Sequence, residues 1–137
     1  MTEPLDHYDA LIYAMVTISA VDRTMTDREL ARIGDIVSNL PVFHDYDSSR
    51  LIKTAEACGE LLGTEGGFDR VLLLIRSAVP KKLRETAYAV ALEVAAADLD
   101  VKPEETRFLE LLRESLDIDK LTGTAIERGI RARNKVL

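Results

Sequence analysis

The chain's 137 residues suit one domain, and 47% apolar with 31% charged residues is the composition of a globular protein rather than a disordered tail. A single Cys58 excludes an internal disulfide and any cysteine-based zinc site, while the absence of Trp and 5% aromatics argue against a stacking platform for nucleic acid. Acidic residues outnumber basic ones, 24 to 18, for a formal charge of −6, and one all-α domain over 1–137 is expected.

The N-terminus carries Glu3, Asp6 and Asp9 where a secretory signal has basic residues. The first apolar run, Ala10–Val21, is too short for a membrane span of about 20 residues, so a cytoplasmic chain without a transmembrane segment is expected. Seven helices are predicted, near Leu5–Val21, Asp27–Leu40, Ser48–Leu62, Phe68–Ala78, Lys81–Ala97, Pro103–Leu116 and Lys120–Arg133. Ala10–Val21 and Ala87–Ala97 are apolar almost all round and Ala-rich, which places both helices at the centre with neighbours on several sides.

The remaining helices carry one stripe each. Leu30, Ile33, Val37 and Leu40 recur at three- and four-residue steps, as do Phe68, Val71, Leu72 and Ile75, and again Phe108, Leu109, Leu112 and Leu116. Thr26-Asp27-Arg28-Glu29 reads as a capping box, and Asp47 as the N-cap of the third helix. Gly63 can end that helix and Gly66-Gly67 loosens the link to the fourth. Pro80 and Pro103 suit a first helical position, and Gly34, Gly59, Gly123 and Gly129 leave room for close helix contact.

Charge divides unevenly. Residues 1–65 hold 5 basic and 12 acidic groups, whereas residues 66–137 hold 13 and 12. Arg128, Arg131, Arg133 and Lys135 form a small C-terminal basic patch, read as a solvated helix end rather than a phosphate-binding surface. Cys58 shares a stripe with Leu51, Ala55 and Leu62 and reads as a buried, inert thiol. His7 and His44 show no ligand spacing. No nucleotide, dinucleotide, serine-hydrolase or zinc-protease motif is present.

A weak internal repeat carries the chemistry. Shifting the chain by 76 residues lays Ala20-Val21-Asp22 over Ala96-Ala97-Asp98, Met25 over Val101, Glu29 over Glu105 and Ile33 over Leu109. Each half then has a buried helix, an Asp at its exit, an apolar residue three later, a Glu seven later and an amphipathic helix. Asp22 and Glu29 form one acidic corner; Asp98, Asp100 and Glu105 form the other. Three carboxylates suit a hard cation such as Ca²⁺ or Mg²⁺, although Asp98–Pro103 is not an EF-hand loop. Capping explains the same residues without a metal, since helix starts attract acidic side chains, and on the residues alone it outweighs the metal reading.

These two D-x-x-apolar-x-x-x-E corners, each following an Ala-rich helix, resemble the tellurite-resistance protein TerB family, and the resemblance runs from about Ala10 to Asp119. It implies an all-helical fold of two pseudo-symmetric halves and a cytoplasmic bacterial protein linked to tellurite and chemical-stress resistance. It also implies that the acidic corners are metal ligands. Arg23 and Leu99 stand where the family usually has glycine, and Arg23 sets a cation beside Asp22. The expected function is a non-enzymatic binding or scaffold module whose corners recruit a divalent cation or the basic surface of another protein, not nucleic acid. The alternative is a metal-dependent hydrolase using the same carboxylates, for which the sequence offers no neighbouring His. Oligomeric state is not legible in the sequence.

Overall fold

Each predicted apolar stripe ends at a residue that caps a helix or forbids its continuation, and the chain turns at those points. A computed structural model describes residues 5–20, 25–96 and 102–137. Among these, seven α-helices follow one another: α1 (His7–Ala20), α2 (Asp27–Asn39), α3 (Leu51–Leu62), α4 (Gly67–Ala78), α5 (Arg84–Ala96), α6 (Pro103–Ser115) and α7 (Lys120–Arg133). The described residues contain no strand. Asp6 caps α1 by accepting from the Asp9 N–H at 2.8 Å, and Asp119 caps α7 by accepting from Thr122 N–H at 2.7 Å. Thr26 and Glu29 close the predicted capping box on α2, and Pro103 occupies the first position of α6.

Helices α1 and α5 form the centre. From Ala10 to Ser19 every residue of α1 is buried, and in α5 the same holds for Ala87, Tyr88 and Val90–Ala95. Ala10, Ala14, Ala87 and Ala91 are fully inaccessible, so neighbours approach these helices on all sides. The two helices pack on each other; α3 and α4 cover α1, α7 covers α5, and α2 and α6 each touch both central helices. Two of the polar groups this buries are satisfied within α1: Thr17 donates to Tyr13 O at 2.7 Å and Ser19 to Met15 O at 3.1 Å.

The repeat is visible in three dimensions. The 76-residue offset carries Asp27–Asn39 onto Pro103–Ser115 residue for residue, and α1 onto α5 to within one residue at its start. The links after α2 and α6 differ. Residues 40–50 join α2 to α3 through two 3₁₀ turns, Pro41–Phe43 and Ser48–Arg50. There Phe43 is buried, and Tyr46 lies against Tyr8 of α1 at a ring separation of 5.1 Å. Arg50 spans back to Asp6 at 3.2 Å and Asp9 at 3.1 Å. Residues 116–119 join α6 to α7 directly. Asp117 turns the chain in a left-handed conformation, φ 56°, that an aspartate tolerates better than most residues. Arg76 of α4 holds that turn, donating to Ser115 O and to the Asp117 carboxylate, both at 2.6 Å. The Arg76 guanidinium keeps the Asp117 carboxyl below its usual range, and Arg84 adds to the effect.

Four local expectations are corrected. Asp47 caps the 3₁₀ turn Ser48–Arg50, and α3 starts only at Leu51. Pro80 stands before a 3₁₀ turn, Lys81–Leu83, that leads into α5, rather than inside a helix. The α3–α4 link is tight, not loose: Gly66 has φ 72°, and a Cβ on Gly67 would run into the Leu61 carbonyl. Of the four glycines expected to leave room for close helix contact, Gly59 and Gly129 face open space, and a Cβ on Gly34 would make ordinary contact with Leu51 at 3.8 Å. Only Gly123 permits an unusually close approach: a Cβ there would lie 2.7 Å from Arg113 Cδ.

These environments order three alanine substitutions, measured by urea denaturation. Gly67→Ala is expected to destabilise by about 2–3 kcal/mol, because backbone and not a mobile side chain occupies the space. Gly66→Ala should cost about 1 kcal/mol for a left-handed non-glycine residue. Gly59→Ala, on the exposed side of α3, should stabilise by roughly 0.5–1 kcal/mol.

Candidate metal and partner site at the helix corners

Each corner is built where a central helix hands over to an amphipathic one. At the first, Thr26 accepts from Glu29 N–H at 3.2 Å, while the Glu29 carboxylate accepts from Thr26 N–H and from the Thr26 hydroxyl, each at 3.0 Å. Glu29 is thus committed to the helix start in the way its sequence context predicts. At the second, Glu105 occupies the matching third position of α6, but the N-cap is Lys102, whose ammonium has no acceptor to offer the helix N–H groups. Glu105 is nevertheless 6% exposed, a depth at which carboxylates are compensated by hydrogen bonds or counter-charge.

Of the five candidate ligands the structure places Glu29 and Glu105. Asp22, Asp98 and Asp100 lie outside the described residues, as do Arg23 and Leu99. Among the described residues, no group of three or more His, Cys, Asp or Glu side chains is arranged to hold a metal ion. His44 pairs with Asp45 at 2.9 Å, far out in solvent, and His7 starts α1 beside Tyr8.

The structure adds an ion cluster that the sequence reading missed. Glu93, 9% exposed, sits one turn before the end of α5. Its carboxylate lies 3.5 Å from the Arg32 guanidinium of α2 and 2.8 Å from Arg133 of α7. Asn134 also donates to it at 3.4 Å, and Arg32 donates to the Glu93 carbonyl and the Asn134 side chain, each at 3.3 Å. The middle of α2, the end of α5 and the end of α7 are thereby pinned together. Arg133, read from sequence as a solvated patch member, is a structural partner. The available signal was Glu93 itself, the one charge in the apolar run Ala87–Ala97.

A groove opens beside this cluster. Helices α6 and α7 both rest on α5 with little contact between them. They meet next to their short link, where Arg113 passes beneath Gly123 and donates to Ile118 O at 2.6 Å. Beyond that point they enclose a hollow of about 740 Å³, floored by Tyr88, Leu92, Ala95, Leu109 and Ile130. Ala95 and Ala96, at its far end, are the last described residues before the second corner.

Cys58 is fully buried, 3.6 Å from the Thr17 hydroxyl, and burial pushes its thiol up to about 12. Labelling by a disulfide reagent at pH 8 should therefore follow global unfolding; rapid labelling of the native chain would show the α1–α3 contact to be open. The ion cluster makes a graded expectation. Arg32→Met removes the less exposed cation and should destabilise by about 1–3 kcal/mol in urea denaturation. Arg133→Met removes one that is 67% exposed and should cost less than about 1 kcal/mol.

No curated protein and no solved structure matched this chain. The family model for the tellurite resistance protein TerB does match it, over residues 8–126, from the first turn of α1 through both corners and into α7. The last turns of α7, with Arg133 and Asn134 of the ion cluster, lie beyond that match. Covering most of the chain, and with the doubled helix–corner–helix arrangement inside it, the match establishes that the protein belongs to the TerB family.

Proposed function

We propose that the chain is a non-enzymatic binding domain serving tellurite or chemical-stress resistance, and that its second corner recruits a divalent cation of the Ca²⁺ or Mg²⁺ type. The observation that carries this reading is the contrast between two matched carboxylates. Glu29 closes a capping box with Thr26, whereas Glu105, in the same helical position, is 6% exposed behind a lysine N-cap whose side chain makes no capping bond and whose carbonyl takes the Glu105 N–H at 3.0 Å. Asp98 and Asp100 precede Glu105 in sequence, and three carboxylates with no His or Cys favour a hard, oxygen-seeking cation. At the first corner Arg23 follows Asp22, and Glu29 already serves the helix, so that corner is the weaker ligand set. The cation, or the acidic corner without it, is a point of attachment for a basic surface on a partner protein. No helix among the described residues is long and apolar enough to cross a membrane.

Calorimetric titration of metal-stripped protein with Ca²⁺, Mg²⁺, Mn²⁺ and Zn²⁺ tests the cation, together with melting temperature. A cation that binds the native state raises the melting temperature by mass action. Asp98→Asn and Glu105→Gln should each reduce that rise. Glu29→Gln should leave it intact while lowering metal-free stability by about 1 kcal/mol through the weakened capping box. Flat titrations and unchanged melting with all four cations would reject the metal and leave the corner as a protein-docking surface.

A further inference from the structure

Helix α7 is held differently from the rest of the fold. Among the described residues, six of the seven helices pack extensively on two or more others, and α7 does so on α5 alone. It has two buried residues, Gly123 and Ile130, against eight in α5. Ile126 adds one partly buried side chain, whereas Leu121 is 82% exposed. The helix is also weak in itself. Gly123, Gly129, Thr122 and Thr124 stand among its 14 residues, and each lowers helix stability relative to alanine. Gly129 faces open space, so no close contact offsets its cost.

The two ends of α7 are fixed by different means. At the start, the 116–119 turn is packed into the core by Leu116 and Ile118, 0% and 6% exposed, and tied to α4 by Arg76. At the far end the hold is ionic and polar: Arg133 and Asn134 reach Glu93 of α5, and Arg32 of α2 reaches both Glu93 and Asn134. The Arg133 side chain is 67% exposed and that of Arg32 35%, so dissolved ions screen the pairs they make. One end is thus a packed pivot and the other a catch open to salt.

We infer that α7 is a salt-sensitive strap on α5, which lifts as a unit about the 116–119 turn when the Glu93 catch releases, while α1–α6 stay folded. Lifting gives up the burial of Ile126 and Ile130 and the Glu93 contacts, but it leaves the α1–α5 contact intact, so it needs less free energy than global unfolding. It uncovers Tyr88, Leu92 and Ala95 of α5, which line the hollow beside α7. Ionic strength then sets how often that face meets solvent. The match to the family model ends at Ile126, so the catch residues Arg133 and Asn134 lie outside the matched pattern. The inference uses none of the corner residues and is independent of the cation proposed there.

Native-state amide exchange of the full chain, followed by NMR across sub-denaturing urea, tests it. The amides of α7 should be at least roughly a hundredfold less protected than the slowest in α1 and α5, with a much shallower urea dependence, because lifting exposes little surface. Ile75→Val, in the core contact of α4, should speed exchange of the slowest α1 and α5 amides roughly fivefold and leave α7 unchanged, because that contact survives the lifting. Raising NaCl to about 0.5 M should speed α7 exchange roughly threefold. Glu93→Gln should abolish that salt response, and Arg133→Met, at an exposed position, should reduce it. If the α7 amides share the protection and urea dependence of α1 and α5, or Ile75→Val speeds them equally, α7 opens only with the whole domain and the strap is rejected. A salt response absent from the wild type, or unchanged in both Glu93→Gln and Arg133→Met, rejects the ionic catch.

Discussion

Everything in this fold leans on the contact between α1 and α5. Two helices that are apolar all round cannot be left at a surface, and alanine at Ala10, Ala14, Ala87 and Ala91 lets them be covered from every side. The other five helices are then one-sided, because each needs only a single stripe to seal its part of the pair. Ile33 and Val37 do this from α2, Val71 and Ile75 from α4, and Phe108 and Leu112 from α6. Burial on this scale leaves few polar groups inside: Thr17 and Ser19 are answered within a turn of their own helix, and Glu93 by cations from two neighbouring helices.

The architecture was legible because its signals are local and periodic. Prolines and caps mark helix starts, so Asp27, Pro103 and Lys120 were placed at their observed positions, and the alanine-rich runs identified the central pair. The features that escaped depend on what another element brings. Gly66-Gly67 looks like slack in a sequence, yet only the packed α3 end, with the Leu61 carbonyl where a Cβ would go, shows that it is a constraint. Arg133 looks solvated until α7 is laid against α5 and finds Glu93. The groove has no sequence signature at all, since it arises from a link too short to fill the space between two helices. At the corners, the helix-start role of Glu29 was readable from its neighbours, while the burial of Glu105 was not, because nothing in Lys102–Glu105 announces depth.

The repeat also explains why the two halves need not do the same work. A pseudo-symmetric fold has each local environment twice, and the stability of the shared core does not require both copies to be closed. The first half spends its corner glutamate on a capping box and its long link on aromatic contacts with α1. Its carboxylate and its apolar side chains are thus consumed inside the domain.

The second half is built differently at both places. Its N-cap is a lysine that makes no side-chain capping bond, its corner glutamate is 6% exposed, and its link is four residues long. Holding that half in shape then falls to long-range contacts: Arg76 and Arg84 gather the α6–α7 turn around Asp117, and Arg32, Arg133 and Asn134 gather the far end around Glu93. These two ion clusters grip the ends of the α5–α7 region and leave its middle unfilled. The apolar floor between them stays accessible because α7 is fixed at its two ends and α6 by its packing on α1, α4 and α5, with little contact between α6 and α7 themselves. That is the physical condition for a preformed binding surface, whose walls need little ordering when a partner arrives.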